Sequence, residues 1–123
     1  TNPVGFMTGR WQTEGMTMVE GIGMSPIEAI VTYNADGTFL MSGSLNVNIQ
    51  GFGEAELLVR MEGTWSVQAS TATQILIRRD GQLEVVSQAL GVSESTEESG
   101  VQPLAILGPD AFREEELTYT RIR

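Results

Sequence analysis

Residues 55–67 read Ala55-Glu56-Leu57-Leu58-Val59-Arg60-Met61-Glu62-Gly63-Thr64-Trp65-Ser66-Val67. Every odd position is apolar or glycine, and every even position except Leu58 is charged or hydroxylated. Side chains alternate faces along a strand, so the pattern predicts a strand with one face on a core and the other in water. It closes on Gly63-Thr64-Trp65, and the same Gly-x-Trp spacing occurs at Gly9-Arg10-Trp11.

On either side of this strand, turn signals recur at regular intervals and apolar alternation resumes after each, the pattern of an all-β meander. A first strand is predicted over Gly9–Glu20, followed by a loop at Gly21–Pro26 and a second strand over Ile27–Tyr33. Asn34-Ala35-Asp36-Gly37 is a hairpin signal, because Asp-Gly supplies the positive φ of a tight turn. Strands then follow at Thr38–Gln50 and, after Gly51-Phe52-Gly53, in the stretch quoted above. Asp80-Gly81 predicts a second hairpin, joining strands at Ala72–Arg79 and Gln82–Leu90. Gly91–Gly100, polar and low in complexity, reads as a mobile surface loop, and the last two strands are expected at Val101–Leu107 and Glu114–Ile122.

Eight antiparallel strands in sequence order can close into an up-and-down barrel with no exposed edge, and the whole chain, 1–123, is expected to be that one domain. Strand direction in such a meander brings Trp11, Trp65 and Arg121 to one end, which becomes an aromatic floor. The mouth at the other end is expected to be framed by residues 21–26, 51–53, 79–81 and 107–110.

Composition narrows the chemistry. The chain contains no Cys, His or Lys, which removes the thiolate nucleophile, the imidazole base, the usual transition-metal ligands and the Schiff-base amine. A formal charge of -9 opposes a nucleic-acid partner. The Glu94, Glu97 and Glu98 group lacks the ligand spacing of a calcium loop, so no metal and no cofactor is expected. No apolar run reaches the length of a transmembrane helix. The chain starts at Thr1 rather than Met, an expectation of removed leader sequence that favours a secreted or periplasmic location over a cytoplasmic one.

With these features the chain resembles the lipocalin and calycin superfamily, and in particular small bacterial lipocalin-like domains. The resemblance is carried by Gly9 and Trp11, by Arg121 in Leu117-Thr118-Tyr119-Thr120-Arg121, by the hairpin at Tyr33–Thr38 and by Gly63-Thr64-Trp65. It implies a Trp11 indole lying across the closed end with the Arg121 guanidinium packed over it, and a ligand cavity above. Gly9-Arg10-Trp11-Gln12-Thr13-Glu14-Gly15 is also similar to the start of haem-binding nitrobindin barrels, but a chain without His cannot ligate haem in their way.

An eight-stranded barrel has room either to fill with its own side chains or to hold one small ligand. The expected ligand-lining residues are Leu45, Val47, Leu57, Val59, Ile75, Ile77, Val85 and Tyr119, with Met24 and Phe52 as an apolar gate on the mouth loops. Arg79 is expected at the rim, either paired with a ligand carboxylate or, on the plainer reading, solvated. Alternation places no pair of carboxylates inside. From Trp11 it sends Met16 and Met18 outward into an apolar patch with Ile30 suited to a homodimer, although a bulge at Gly15 that resets the phase is preferred. The leading expectation is a protein that binds or carries a small apolar molecule: a lipid, fatty acid or polyketide-like metabolite. The alternatives are a cyclase or isomerase using Tyr33, Tyr119 or Arg79 as hydrogen-bond donors, and an interaction or inhibitor module presenting residues 1–8.

Overall fold

The alternation of residues 55–67 is realised inside a longer strand, Gly53–Ser70, in which Ala55, Val59 and Trp65 are buried while Glu56, Arg60 and Glu62 face water. This is the fourth strand (β4) of a computed structural model that describes residues 2–123. Thr1, the first residue of the segment expected to meet a partner, lies outside the described residues. The preceding strands are β1 (Gly9–Val19), β2 (Gly23–Tyr33) and β3 (Thr38–Ile49), and those that follow are β5 (Gln74–Ser87), β6 (Val92–Gly108), β7 (Ala111–Glu114) and β8 (Leu117–Arg121). Each pairs antiparallel with its sequence neighbour, and β1 pairs with β8 to close an eight-stranded up-and-down barrel.

The expected strand number is met by two departures that offset each other. Asp80-Gly81 makes no turn: β5 runs straight through it, joining the two strands predicted on either side. Gly37 takes the positive φ (90°) of a hairpin turn, whereas Gly81 does not. Its lack of a side chain serves a different end. Gly81 stands opposite Gly63 on β4, and a Cβ on Gly63 would sit 1.9 Å from the Asp80 carbonyl oxygen. The two glycines let β4 and β5 approach more closely than any other residue pair would allow.

The second departure is the β7–β8 hairpin. The last predicted strand is split by a turn at Glu115-Glu116, with Glu115 at φ 54°, and residues 111–114 form a strand of their own. Residues 91–100, expected as a mobile loop, belong mostly to β6, whose Val92–Ala105 pairs with β5 residue for residue. The serines, threonines and glutamates there are polar on both faces because both faces meet solvent. β1 shows no bulge at Gly15: its register with β2 is unbroken from Gly9↔Tyr33 to Val19↔Gly23, so Met16 and Met18 point outward and are exposed.

The floor is closed by a short helix, α1 (Pro3–Met7), that the sequence pattern did not signal. Asn2 caps it, its side-chain oxygen accepting from the Val4 and Gly5 amides. Met7 is fully buried, and the Trp11 indole N–H donates to its carbonyl at 2.9 Å. The Arg121 guanidinium lies over the Trp11 ring, 4.2 Å from its centroid, and donates to the carbonyls of Thr8 and Phe6 and to Asp110. Arg121 therefore ties the end of β8 to the end of α1 while covering the indole. Trp65 is buried at the same end, its indole N–H donating to Asn34 in the β2–β3 turn.

Arg121→Ala is expected to cost about 2–4 kcal/mol, from the lost cation–π contact and from backbone acceptors left without their charged donor. Arg123, 73% exposed and paired with Asp110 in solvent, should cost far less when truncated. Urea denaturation of the two variants checks the difference, and equal losses would show that Arg121 does not brace the floor.

Candidate functional site

Alternation along β5 turns Ile75, Ile77, Arg79 and Leu83 to the barrel interior, so the rim position expected for Arg79 is replaced by one inside the wall. Its neighbour on β6 is Gly100, beside which the space is open: a Cβ there would meet no heavy atom within 4 Å. One Nη donates to the Tyr33 hydroxyl at 2.9 Å and the other to Glu114 Oε2 at 2.6 Å. Glu114 reaches this point because Phe112, two residues earlier on β7, is a buried inward residue and fixes the phase. The Arg79 and Glu114 side chains are only 19% and 17% exposed.

This cluster stands at one side of a cavity of about 370 Å³. Val31, Tyr33, Phe39, Met41, Met61 and Leu83 give it an apolar wall, and Arg79, Glu98, Gln102, Glu114, Glu115 and Tyr119 supply its polar groups. Where alternation places no pair of carboxylates inside, the structure encloses one, Glu114, while Glu98, exposed to solvent, borders the same space. Among these lining side chains Arg79 is the one cation, against the carboxylates of Glu98, Glu114 and Glu115. Access follows from strand length. β7 pairs with β6 only at Ala105–Gly108, and β8 with β1 only at Trp11–Thr13, so the upper part of β6 has one free edge beside the short hairpin. Ser99, Gly100 and Gln102 of that edge border the cavity, which opens there rather than at the expected mouth. Residues 79–81 lie within β5, and the loop around Pro109 joins β6 to β7 at the floor, where Arg121 N–H donates to the Asp110 carbonyl.

Protonation states follow from burial. Burial pushes the Tyr33 phenol up from its ordinary pKa more than the Arg79 charge pulls it down, and burial likewise raises Tyr119. Burial also works against the Arg79 charge, but Tyr33 and Glu114 more than offset it, so the net shift is upward. At neutral pH both phenols keep their protons and the guanidinium keeps its charge. Tyr119 is held flat against Phe112, ring centroids 4.9 Å apart. Glu114 Oε1 is buried and, among the described residues, accepts no hydrogen bond.

Of the residues expected to line a ligand site, Arg79 and Tyr119 border this cavity. Val47, Val59, Ile75 and Ile77 are buried. Leu45, Leu57 and Val85 are half-buried on the inward face, away from this lining. Met24 faces outward from β2 and Phe52 sits in the β3–β4 turn, both about half exposed (51% and 55%). Glu114, Glu98, Gln102, Met41 and Met61 were not anticipated. Glu114 was legible only through the phase of β7, a strand of four residues.

A broader concavity of about 890 Å³ lies on the outer face of β8 and β1–β4, lined by Gln12, Ile30, Leu58, Arg60 and the facing pair Glu14 and Glu28. The hydrogen bond to Glu14 and that residue's charge raise the Glu28 pKa. Most of its lining belongs to the solvent-facing set of these strands, with the buried Thr13, Ala29 and Val59 reached from outside, and among the described residues it has no unsatisfied buried polar atom comparable to Glu114 Oε1. Among the described residues no group of three or more potential ligands is placed to hold a metal ion, and no helix is long and apolar enough to cross a membrane.

Neither a scan against protein-family models nor a search of curated proteins finds a match for this chain. The eight-stranded antiparallel barrel is compatible with a calycin-like fold.

Proposed function

We propose that the protein is a lipocalin-like carrier that binds a small, mainly apolar molecule, of the lipid, fatty-acid or polyketide-like kind, in the cavity beside Arg79 and Glu114. The observation that carries this reading is an apolar cavity of about 370 Å³ with a fixed polar cluster on one wall. Ligand sites have this form: apolar lining for affinity and a few placed polar groups for orientation. Covering about 200 Å² of ligand surface at about 25 cal/mol per Å² contributes about 5 kcal/mol before ordering costs. The Arg121 guanidinium over the Trp11 indole supports the lipocalin-like assignment.

A second reading has its own observation. Glu114, whose Oε1 accepts no hydrogen bond among the described residues, lines the cavity together with two protonated phenols, which gives an isomerase or cyclase a base and hydrogen-bond donors in a space that restricts substrate conformation.

Titration with a neutral fluorescent probe, N-phenyl-1-naphthylamine, tests the binding site. Leu83→Trp fills space at the cavity wall and is expected to abolish probe binding at a stability cost of about 1 kcal/mol or less. Val47→Trp, at a position 1% exposed, should overpack the core by about 1–3 kcal/mol and leave the probe bound. Unchanged binding in Leu83→Trp would count against the cavity as the site.

A further inference from the structure

We infer that the cavity selects an uncharged, hydroxyl-bearing apolar molecule, an alcohol or a phenol, and rejects the carboxylates of fatty acids. This rests on the binding reading above and narrows its ligand class. The first reason is that the cation is already engaged. Arg79 is the one cationic side chain lining the cavity, and its two terminal nitrogens donate to Tyr33 and Glu114. Each terminal nitrogen keeps a second N–H, but a ligand carboxylate that took one would share the guanidinium with Glu114, setting two carboxylates side by side on a single cation in a largely desolvated wall.

The second reason is the field. One cation against three carboxylates gives the lining a formal charge of -2, in a protein of formal charge -9, so an anion is opposed both on approach and at the site. The third is an acceptor awaiting a donor. Glu114 lines the cavity, and its buried Oε1 has no hydrogen bond among the described residues; a turn of the carboxylate toward the cavity brings that oxygen to a ligand O–H, which satisfies it. The oxygen of the same hydroxyl can accept from Tyr119, whose phenol burial keeps protonated. A carboxylate offers acceptors only and an ether lacks the proton, so neither completes this arrangement.

Calorimetric titration of the wild-type protein at neutral pH with two matched series tests the inference: 2-naphthol, 2-methoxynaphthalene and 2-naphthoate, then 1-octanol, its methyl ether and octanoate. In at least one series the hydroxyl compound is expected to bind about tenfold or more tighter than the ether and the carboxylate, as for sites built around a ligand O–H. Carboxylate binding equal to or tighter than the alcohol, or an ether equal to it, overturns the inference and leaves the binding reading standing. No heat from any compound, with no shift in thermal midpoint, overturns both. Glu114→Gln keeps the shape and an acceptor while releasing Arg79, so the preference should shift toward 2-naphthoate. A residue that only supported the fold would weaken all compounds alike.

Discussion

Glu114→Leu is expected to destabilise the barrel by about 3–5 kcal/mol, lowering the thermal midpoint by about 10–20 °C. The substitution keeps an apolar body of similar size on the inward face of β7, so loss of packing is not the main effect. The cost comes from Arg79, whose 19% exposed guanidinium would keep Tyr33 as a neutral partner and lose its counter-charge. Removing both charges reverses the argument. Arg79→Met with Glu114→Leu replaces a desolvated pair by apolar groups, and the double variant should be clearly more stable than Glu114→Leu alone. Urea denaturation of both variants and the wild type gives the coupling directly. Additive losses would show that solvent screens the pair and that the cavity wall is wetter than the geometry implies. The same pair bears on function, because the double variant keeps the apolar wall and loses the groups that would orient a ligand.

The parts of this fold that were legible in sequence are those where one face is buried and the other is wet. β4 is the clearest case: Ala55, Val59 and Trp65 inside against Glu56, Arg60 and Glu62 outside leave little ambiguity of period or phase. The floor was legible for another reason. Strand direction alone carries Trp11 and Arg121 to one end, and short loops leave few other ways to connect them. β6 was not legible, because Ser93–Ser99 is exposed on both faces and so carries no alternation to read. Asp80-Gly81 misled in the opposite way. Its residue types are those of a hairpin turn, but the glycine answers a demand for space from the facing strand rather than a demand for positive φ, and only the partner strand reveals which demand applies. The errors at Asp80-Gly81 and at β7 account for the candidate site. A break at Gly81 moves Arg79 to a rim, and an unrecognised β7 leaves Glu114 without a phase, so the two halves of the ion pair could not be placed together.

Gly63→Ala is expected to have the largest effect of any single methyl added to this protein. The new Cβ would lie 1.9 Å from the Asp80 carbonyl oxygen and 2.5 Å from the Gly81 Cα, and both are backbone atoms that no rotamer change can move aside. Relief requires β4 and β5 to separate along the stretch where Met61↔Leu83 and Trp65↔Arg79 face each other. Ordinary overpacking costs about 1–3 kcal/mol because side chains adjust. Here the ladder itself must open, and a loss above about 5 kcal/mol would consume most or all of a typical domain's stability. Gly100→Ala provides the control, since its added Cβ would meet no heavy atom within 4 Å and its φ is not in the left-handed region. Gly63→Ala should give little soluble protein or a chain without the cooperative unfolding transition, while Gly100→Ala should stay within about 1 kcal/mol of the wild type. A stable, monomeric Gly63→Ala protein would mean that the β4–β5 contact is looser than the geometry requires. The position of Arg79, two residues from Gly81 and opposite Trp65, would then no longer be fixed by the close approach of these strands, and the cavity built around it would lose its rigid wall.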